Sequence, residues 1–491
     1  MPPQPATPDF ATISFDEAQA FCEAEDGAIL PIVGVSLAVF LGLVALSYDL
    51  GRLASTQSEL QSFADHVALA AAGELDGRTD SIIRAEDAAA TLIQDTQTFG
   101  EGGPDLDATS YTISFHATLP DSDLDAMTSP TSDPEQAAYV RVTANPRTVR
   151  YTFARAFNAL TGRDGPNQGE VGAVAVAGFT QYACDITPLM FCLPDDGGPL
   201  PPGTMMQAQA GGGSGSWDAG NWGWLSPSGS GYTVDPEGPC ADEPEGQVDR
   251  CLLAAQSSIT TCFAQRGVDM DPGRSIGVTE AAINTRFDIW ASTMSGARNN
   301  LAYAPAPNTI SGLPRGNNQC VANNADPDDS PIQPLPRDEC FPNCPRGRIG
   351  NGEFRDGLAD YYEANYGDAA SDWAPLDPVT RYEVYLAEID QAGGAGSTDD
   401  ILPEGSEETG RGNQCSDNQS SDVERRVLVM AGIDCSTTSF SGSATGVPVE
   451  EFYRVFITEP AGEFNLWLEV LGSASDGGDG STIHDVVQLY R

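Results

Sequence analysis

The side chains that could do chemistry in this chain are few. Its 491 residues include 71 Asp and Glu, and all 24 cationic side chains are Arg, so lysine is absent. Walker lysines, Schiff-base lysines and kinase-type lysines are therefore excluded. The three histidines, His66, His116 and His484, have separations that fit neither an HExxH helix nor a Cys₂His₂ zinc site. We predict a non-enzymatic protein with no catalytic residue, no metal and no cofactor.

A hydrolase is the enzyme alternative, and the sequence gives it no specific support. No Gly-x-Ser-x-Gly nucleophile elbow occurs, and Cys340 and Cys344 are one residue too far apart for a thioredoxin-type pair. Paired carboxylates in a cleft stay possible in so acidic a chain. Calcium sites are disfavoured, because Asp269–Glu280 has Arg274 where an EF-hand needs Gly and the Asp/Gly cluster at 475–481 is not repeated.

The net charge of the chain indicates which class of partner it does not bind. The formal net charge at pH 7 is 24 − 71 = −47. Nucleic-acid backbones are bound by clustered cations, so we predict no nucleic-acid partner. The 52 Gly and 35 Pro indicate a loop-rich architecture.

One stretch near the N-terminus is long and apolar enough to cross a membrane. Ala28–Tyr48 holds 21 residues without a charge, which as a helix spans about 31 Å, the thickness of a bilayer core. A cleaved signal peptide is disfavoured because the preceding flank is acidic. A prepilin cleavage after Gly27 lacks the Glu expected five residues later, where Ile32 stands. We predict an uncleaved transmembrane helix at 28–48 after a short cytoplasmic tail at 1–27.

Within this span Gly34, Ala38 and Gly42 recur every four residues and place three small side chains on one helix face. Such a face lets a second helix approach closely, although glycine is common in membrane helices anyway. We predict it as a membrane helix packing site.

The helix is expected to continue beyond the membrane as a stalk within residues 49–100. Leu53, Leu60 and Val67 are seven residues apart and Phe63 lies between them, the spacing of a helix face or a short coiled coil. Two interpretations stay open. These side chains form an intermolecular stalk interface, or they pack on the protein's own globular part.

Cysteine positions indicate on which side of the membrane the bulk lies. Of eleven cysteines, Cys22 precedes the apolar span and ten follow it. Ten in a large loop-rich region suggest up to five disulfides in an oxidising compartment. Buried free thiols are the alternative, and the lone Arg just after the span favours the opposite orientation. We predict a periplasmic bulk with two local pairs, Cys184 with Cys192 and Cys415 with Cys435.

Hydrophobic periodicity predicts an α+β fold with antiparallel sheets. Residues 101–193 are expected to form a small α+β unit with a helix across its sheet, 194–424 a loop-rich middle region, and 425–491 a β-rich segment. Strands are predicted at 110–119, 137–146, 169–181 and in three C-terminal runs, and helices at 81–97, 149–160, 361–366 and 378–390.

Three tryptophans lie in a Gly/Pro-rich stretch that otherwise has the composition of a linker. Trp217, Trp222 and Trp224 are large apolar side chains that a pure linker would not expose. We expect a loop packed on a sheet here, and a carbohydrate-stacking site is the other interpretation.

The N-terminal motifs resemble one family. Gly27-Ala28, Tyr48-Asp49-Leu50-Gly51-Arg52, Leu60-Gln61, Ala64-Asp65 and the alanine-rich run 68–72 are similar to the N-terminal segment of the TadG family, the anchored subunits of the tight-adherence (Flp-type) pilus machinery. Later patches, ACDITPLMFC and RRVLVMAGIDC among them, resemble other members. The metal-adhesion motif of some relatives is incomplete here, so no such metal site is expected.

The resemblance implies a non-enzymatic, single-pass inner-membrane component of Tad pilus assembly that supports pilus biogenesis and surface attachment. Its implied partners are other Tad pilus-assembly proteins, namely pseudopilins and the inner-membrane platform. The alternative is a minor pilin-like or adhesin subunit that binds glycan or cations at the cell surface.

Overall fold

The computed structural model describes residues 29–490, except for 121, 123–124, 135, 163, 185, 196–198, 212–216, 227–235, 242, 245–246, 256–261, 266, 272–275, 315–329, 398, 404–414, 437–442, 464 and 475–482. Two compact units divide the chain. The first holds Met1–Phe179 and Val487–Arg491, and the second holds Thr180–Val486. The predicted cytoplasmic tail and the Asp/Gly cluster at 475–481 lie outside the described residues, as does part of the EF-hand-like stretch.

One continuous helix, α1 (Ile29–Ala72), opens the first unit. Its 44 residues extend about 66 Å, and the Pro near its start falls in the first turn, where no intrahelical N–H is lost. The helix ends just before Gly73. α2 (Ser81–Thr91) follows and ends earlier than the predicted residue 97.

The sheet of the first unit is antiparallel, as predicted. β3 (Tyr111–His116) pairs with β4 (Tyr139–Arg150), and β4 pairs with β5 (Gln168–Cys184). The register of β4 against β5 shifts around Pro146, which has no N–H to give to the ladder. β15 (Ile483–Leu489) completes the order β15-β5-β4-β3.

Short elements fill the connections of this unit. β1 (Asp95–Thr96) and β2 (Asp105–Leu106) pair with each other. α3 (Phe153–Thr161) connects β4 to β5 and ends at Gly162, whose φ of 63° is the left-handed conformation that glycine adopts without a steric cost.

The core of the first unit lies between α1, α2 and the sheet. Leu60, Phe63 and Val67 are fully buried against alternate residues of β4 and β5, and Leu53 packs at the edge of the same cluster. These are the residues predicted as a stalk interface. Of the two interpretations left open, the structure corrects the intermolecular one and supports packing on the protein's own globular part, because this apolar face is covered by the protein's own sheet.

Six strands of the second unit close into a barrel. They are β6 (Leu189–Cys192), β7 (Met205–Ala210), β8 (Asn221–Ser226), β11 (Val427–Ile433), β13 (Glu451–Ile457) and β14 (Asn465–Ser473). Their order is β8-β6-β11-β13-β14-β7, and β7 pairs back with β8. Alternate residues of all six strands meet in one buried cluster, as the inner face of a closed sheet requires.

The barrel corrects the prediction that the sheets are only antiparallel. β11 runs parallel to β6, and β7 runs parallel to β8. It also corrects the predicted boundaries, because residues 194–424 and 425–491 contribute strands to one sheet and the units divide at residue 179 rather than at 193. Periodicity identifies a strand but not its neighbour, and so it could not reveal this closure.

Further elements surround the barrel. β10 (Val268–Asp271) and β12 (Ala444–Val447) extend the sheet from β8, and β9 (Cys262–Ala264) pairs with the end of β5. The helices are α4 (Val248–Ala254), α5 (Ile276–Asn284), α6 (Leu358–Tyr366) and α7 (Arg381–Gln391). α6 and α7 confirm the two helices predicted in the otherwise irregular middle region.

Candidate functional site

The apolar start of α1 is almost entirely exposed. No residue from 29 to 48 is buried, and large side chains such as Leu30 and Phe40 are mostly exposed. α1 is the one helix among the described residues that is long and apolar enough to cross a membrane. Exposed apolar surface on this scale marks a contact with lipid or with another protein.

The first buried residue of α1 is a carboxylate. Asp49 is only 5% exposed, and its oxygens accept hydrogen bonds from the backbone N–H groups of Thr152 (2.7 Å), Phe153 (3.0 Å) and Ala154 (2.8 Å). These are the first N–H groups of α3, which have no partner within their own helix. Thr152, in the capping position, makes no side-chain cap itself. Asp49 therefore caps α3 from a different helix, with the charge that a helix N-terminus favours.

This arrangement sets the ionisation of the carboxyl group. Burial by itself would raise the pKa of Asp49, but the N–H groups of Ala154, Thr152 and Phe153, helped by the charge of Arg52, outweigh it and lower the pKa. The group is therefore ionised at neutral pH, and α3 is held to α1 by an anion.

Arg52, one turn later, makes a second set of contacts to the same segment. Its Nη1 donates to the carbonyl oxygen of Arg150 (3.1 Å) and to Oγ1 of Thr152 (2.7 Å). Its guanidinium also lies 5.0 Å from the centre of the Phe99 ring, within cation–π range. Asp49 and Arg52 belong to the Tyr48–Arg52 motif, so that motif fastens the start of α3 to α1.

A groove of about 390 Å³ lies between α1 and α3. Its lining is mostly apolar and includes Gly42, Leu46, Leu50, Phe157 and Pro166. Residues of the exposed apolar part of α1 and residues of α3 therefore line the same groove.

The predicted packing face of the apolar span is unoccupied by protein among the described residues. Gly34 and Gly42 have no atom within 4 Å of the position where a Cβ would be added, and Ala38 is exposed. The binding of a second helix to this face stays a prediction.

Further along α1, Gln57 and the family-like Gln61 both bind the sheet. Nε2 of Gln57 donates to the carbonyl oxygen of Gly172 (2.9 Å), and Nε2 of Gln61 donates to that of Val174 (3.1 Å) and to Asp65 (2.7 Å). The Leu-Gln and Ala-Asp pairs thus lie on the side of α1 that joins β5.

The described cysteines of the second unit form disulfides, but not those predicted. Cys184 pairs with Cys262 and Cys192 with Cys435, so the proposed pairs Cys184–Cys192 and Cys415–Cys435 are wrong. Proximity in sequence misled the prediction, because β5 meets β9 only after 78 residues and β6 meets the end of β11 after 243. Two local disulfides also form, Cys240–Cys251 and Cys340–Cys344, and Cys415 is disulfide-bonded as well.

The tryptophans are part of the barrel. Trp222 and Trp224 lie on β8 and are each 1% exposed, and Trp217 is buried on the other face of the sheet. Nε1 of Trp224 donates to Oγ1 of Thr279 (3.1 Å). The expectation of packing on a sheet is confirmed, and these side chains do not offer a surface on which a sugar could stack.

The second unit also buries a hydrogen-bonded carboxylate. Glu388 accepts from the hydroxyls of Tyr361 and Tyr366 and from Nδ2 of Asn308. Burial raises the pKa of Glu388, and these donors offset only part of that effect. Because every donor around it belongs to the surrounding core, the group is a structural element of the interior.

A buried ion cluster lies nearby in the same unit. The guanidinium of Arg381 donates to Asp338 and to Glu469, and all three side chains are fully buried. Asp338 further accepts from the N–H groups of Met205 (3.3 Å) and Gly352 (2.7 Å). No group of His, Cys, Asp or Glu side chains arranged to hold a metal ion occurs in the part of the chain that the structure describes.

Comparison with known proteins bears on the N-terminal segment. Residues 27–74 match the model of the family described as "Putative Flp pilus-assembly TadE/G-like". The resemblance drawn from the N-terminal motifs is thereby confirmed, and the matched segment covers α1 from end to end. The chain has no match among curated proteins and none among solved structures.

Proposed function

We propose that this protein is a non-enzymatic component of Tad/Flp-type pilus assembly, anchored in the bacterial inner membrane by residues 28–48. Its N-terminus lies in the cytoplasm and its bulk in the periplasm. There it supports pilus biogenesis and surface attachment together with other pilus-assembly components.

The observation that carries the proposal is the coincidence of the family match with α1. The matched residues 27–74 include both the exposed apolar part of the helix and the part buried against the sheet. One rigid helix therefore joins a membrane-spanning segment to a folded body. Such a connection transmits position and force without any catalytic step.

The disulfides support the periplasmic orientation. Disulfides persist in oxidising compartments and are rare in the cytosol. Four pairs are formed among the described residues, and all follow the apolar span. A buried disulfide such as Cys192–Cys435 would be lost if this unit faced the cytosol.

A deletion strain tests the role in assembly. Surface pili should be counted by electron microscopy and attachment measured, with the intact chain supplied in trans as the control. We expect piliation and attachment to fall and to be restored by the intact chain. Unchanged piliation in the deletion strain would contradict the proposal.

Thiol labelling tests the orientation separately. A membrane-impermeant maleimide applied to spheroplasts should leave Cys22 unlabelled until the membrane is opened. Labelling of Cys22 in sealed spheroplasts would reverse the assigned orientation while leaving the role in assembly unaffected.

A further inference from the structure

The side chains of α3 do not pack into a core. None of its nine residues, Phe153–Thr161, is buried. Phe157 is 55% exposed and Leu160 86% exposed. Short helices are marginal in water unless an apolar face is packed, and three large apolar side chains on one short helix are costly to leave in water. These side chains therefore require an apolar surrounding, which the described residues do not supply.

The depth of α3 relative to the apolar span is fixed by its cap. The backbone N–H groups of residues 152–154 bond directly to Asp49, and Asp49 immediately follows Tyr48, the last residue of the uncharged run. The ring of Phe153 also packs edge-on against that of Tyr48, at 5.4 Å. If 28–48 spans a bilayer, α3 begins at the level where the hydrocarbon meets the headgroups.

α3 is amphipathic, as a helix at the boundary between hydrocarbon and headgroups is expected to be. At about 100° per residue, Phe153, Phe157 and Leu160 fall within one arc of about 60°, and Arg155 points to the opposite side. Helices of this kind lie in the plane of the membrane interface, with the apolar face among the acyl chains and the cations among the phosphates.

The distribution of charge around α3 is unusual for this chain. The 27 residues from Gln136 to Gly162 contain four Arg and no Asp or Glu, whereas the protein as a whole carries 71 acids against 24 Arg. Arg155 on α3 is exposed. Arg150 of this segment pairs with Glu101 and Arg147 bonds to the backbone oxygen of residue 101, so the exposed Arg155 is the cation that α3 itself presents to phospholipid phosphates.

We propose that α3 is inserted in the bilayer–water interface of the membrane that α1 crosses, and that a phospholipid acyl chain fills the groove between α1 and α3. The aromatic and aliphatic face of α3 enters the lipid beside Leu46 and Leu50, and Arg155 faces the headgroups. This inference rests on the membrane anchoring in the proposed function. It adds a second membrane contact, which fixes the rotation and depth of the helix.

Tryptophan fluorescence with brominated lipids tests the inference on the full chain. The variant Phe157→Trp is reconstituted into phosphatidylcholine/phosphatidylglycerol vesicles, with and without phosphatidylcholine brominated on its acyl chains. The six native tryptophans all lie in the second unit, so the unsubstituted chain supplies their contribution.

The matched control is Ile83→Trp. Ile83 is an exposed apolar residue of α2, 64% accessible. Its neighbour Arg84 pairs with Glu74 and Asp76, which follow the end of α1 at Ala72. That end lies about 35 Å along α1 from Asp49. The same substitution at this site reports the aqueous surroundings of the first unit.

Three results decide the question. We expect the added emission of Phe157→Trp to be shifted to shorter wavelength and to lose intensity with brominated lipid, and that of Ile83→Trp to do neither. If the emission from position 157 is quenched by acrylamide and not by brominated lipid, the helix lies in water and the inference is overturned. If neither agent quenches it, protein covers the helix, and the lipid assignment is equally overturned.

Flotation of the same vesicles separates this inference from the proposed function. If the chain floats with the vesicles but brominated lipid does not quench the added emission of Phe157→Trp, only the interfacial position of α3 is refuted. A chain that does not float with the vesicles refutes the anchoring and the inference together.

Discussion

Replacing Asp49 by Asn changes one charge at the contact between α1 and α3 and alters almost no volume. Asp49 accepts from three backbone N–H groups at 2.7 to 3.0 Å. Asn retains a single uncharged acceptor oxygen and turns an NH₂ group toward the remaining donors. Hydrogen bonds to a charged acceptor contribute about 1.5–3 kcal/mol each, and losing a helix cap costs about 0.5–2 kcal/mol.

The expected cost is about 2 kcal/mol in the local free energy of opening α3, which corresponds to about 30-fold faster exchange of the protected amides. Hydrogen exchange measured by mass spectrometry on the full chain in lipid nanodiscs would detect it in peptides that contain residues 152–156. Peptides from β4 and from the second unit should exchange as in the unsubstituted chain.

The matched control is Asp87→Asn, the same isosteric change at an exposed position of α2. It should leave exchange near α3 unaltered. If Asp49→Asn exchanges no faster than Asp87→Asn in that segment, the carboxylate does not hold α3, and the Tyr48–Arg52 motif must serve some purpose other than fastening that helix to α1.

The pH dependence follows from the lowered pKa of Asp49. A carboxyl group whose pKa is lower in the folded state contributes stability above its ordinary pKa of about 3.9, and the contribution is lost as the pH falls through the folded value. Protection of α3 in the unsubstituted chain should therefore decline below about pH 4 and approach that of Asp49→Asn. A difference between the two proteins that persists undiminished in strong acid would contradict the assignment.

Three further predictions concern the second unit. Arg381→Met leaves two buried carboxylates without their cation and should lower the free energy of unfolding by about 3–5 kcal/mol, whereas the same change at Arg346, an exposed residue of the same unit, should cost about 1 kcal/mol or less. Replacing both Cys192 and Cys435 by Ser removes a link that closes a loop of 243 residues and should cost about 5 kcal/mol by chain entropy. Because burial raises the pKa of Glu388, the folded state keeps its proton to higher pH, so stability falls as the pH rises above about 4.3. Glu388→Gln should make that fall shallower.

Denaturant unfolding followed by tryptophan fluorescence checks all three, since every tryptophan lies in the second unit. The disulfide prediction has an internal control, because removing Cys340–Cys344, whose cysteines are only four residues apart, should cost about 2 kcal/mol. Equal costs for the two disulfides, equal costs for the two arginine variants, or an unaltered pH profile in Glu388→Gln would each contradict the corresponding prediction.

The N-terminal segment could be predicted almost completely from the sequence. An uncharged run of 21 residues, the absence of internal breaks and the spacing of Leu60, Phe63 and Val67 predict one long helix with an apolar face. What could not be predicted is what covers that face. Helical periodicity shows that one face of the helix is apolar, but either a partner helix or the protein's own sheet can pack on such a face.

The role of Asp49 had only a weak signal in the sequence. A carboxylate directly after an apolar run is visible in the sequence, but its donors lie 103 to 105 residues away. α3 itself was predicted from its pattern, whereas its lack of a local cap and of any buried residue became visible only with its neighbours in place.

The sequence by itself determined the local properties: the apolar span, the strands and helices with their alternating faces, and the excess of acidic side chains. These follow from periodicity and composition, which act over a few residues. The tertiary structure alone decided which strands are neighbours, how six of them close into a barrel, which cysteines pair and where α3 is held. Those choices depend on contacts between residues distant in the chain, where many pairings are chemically equivalent and only the packing of the whole unit distinguishes among them.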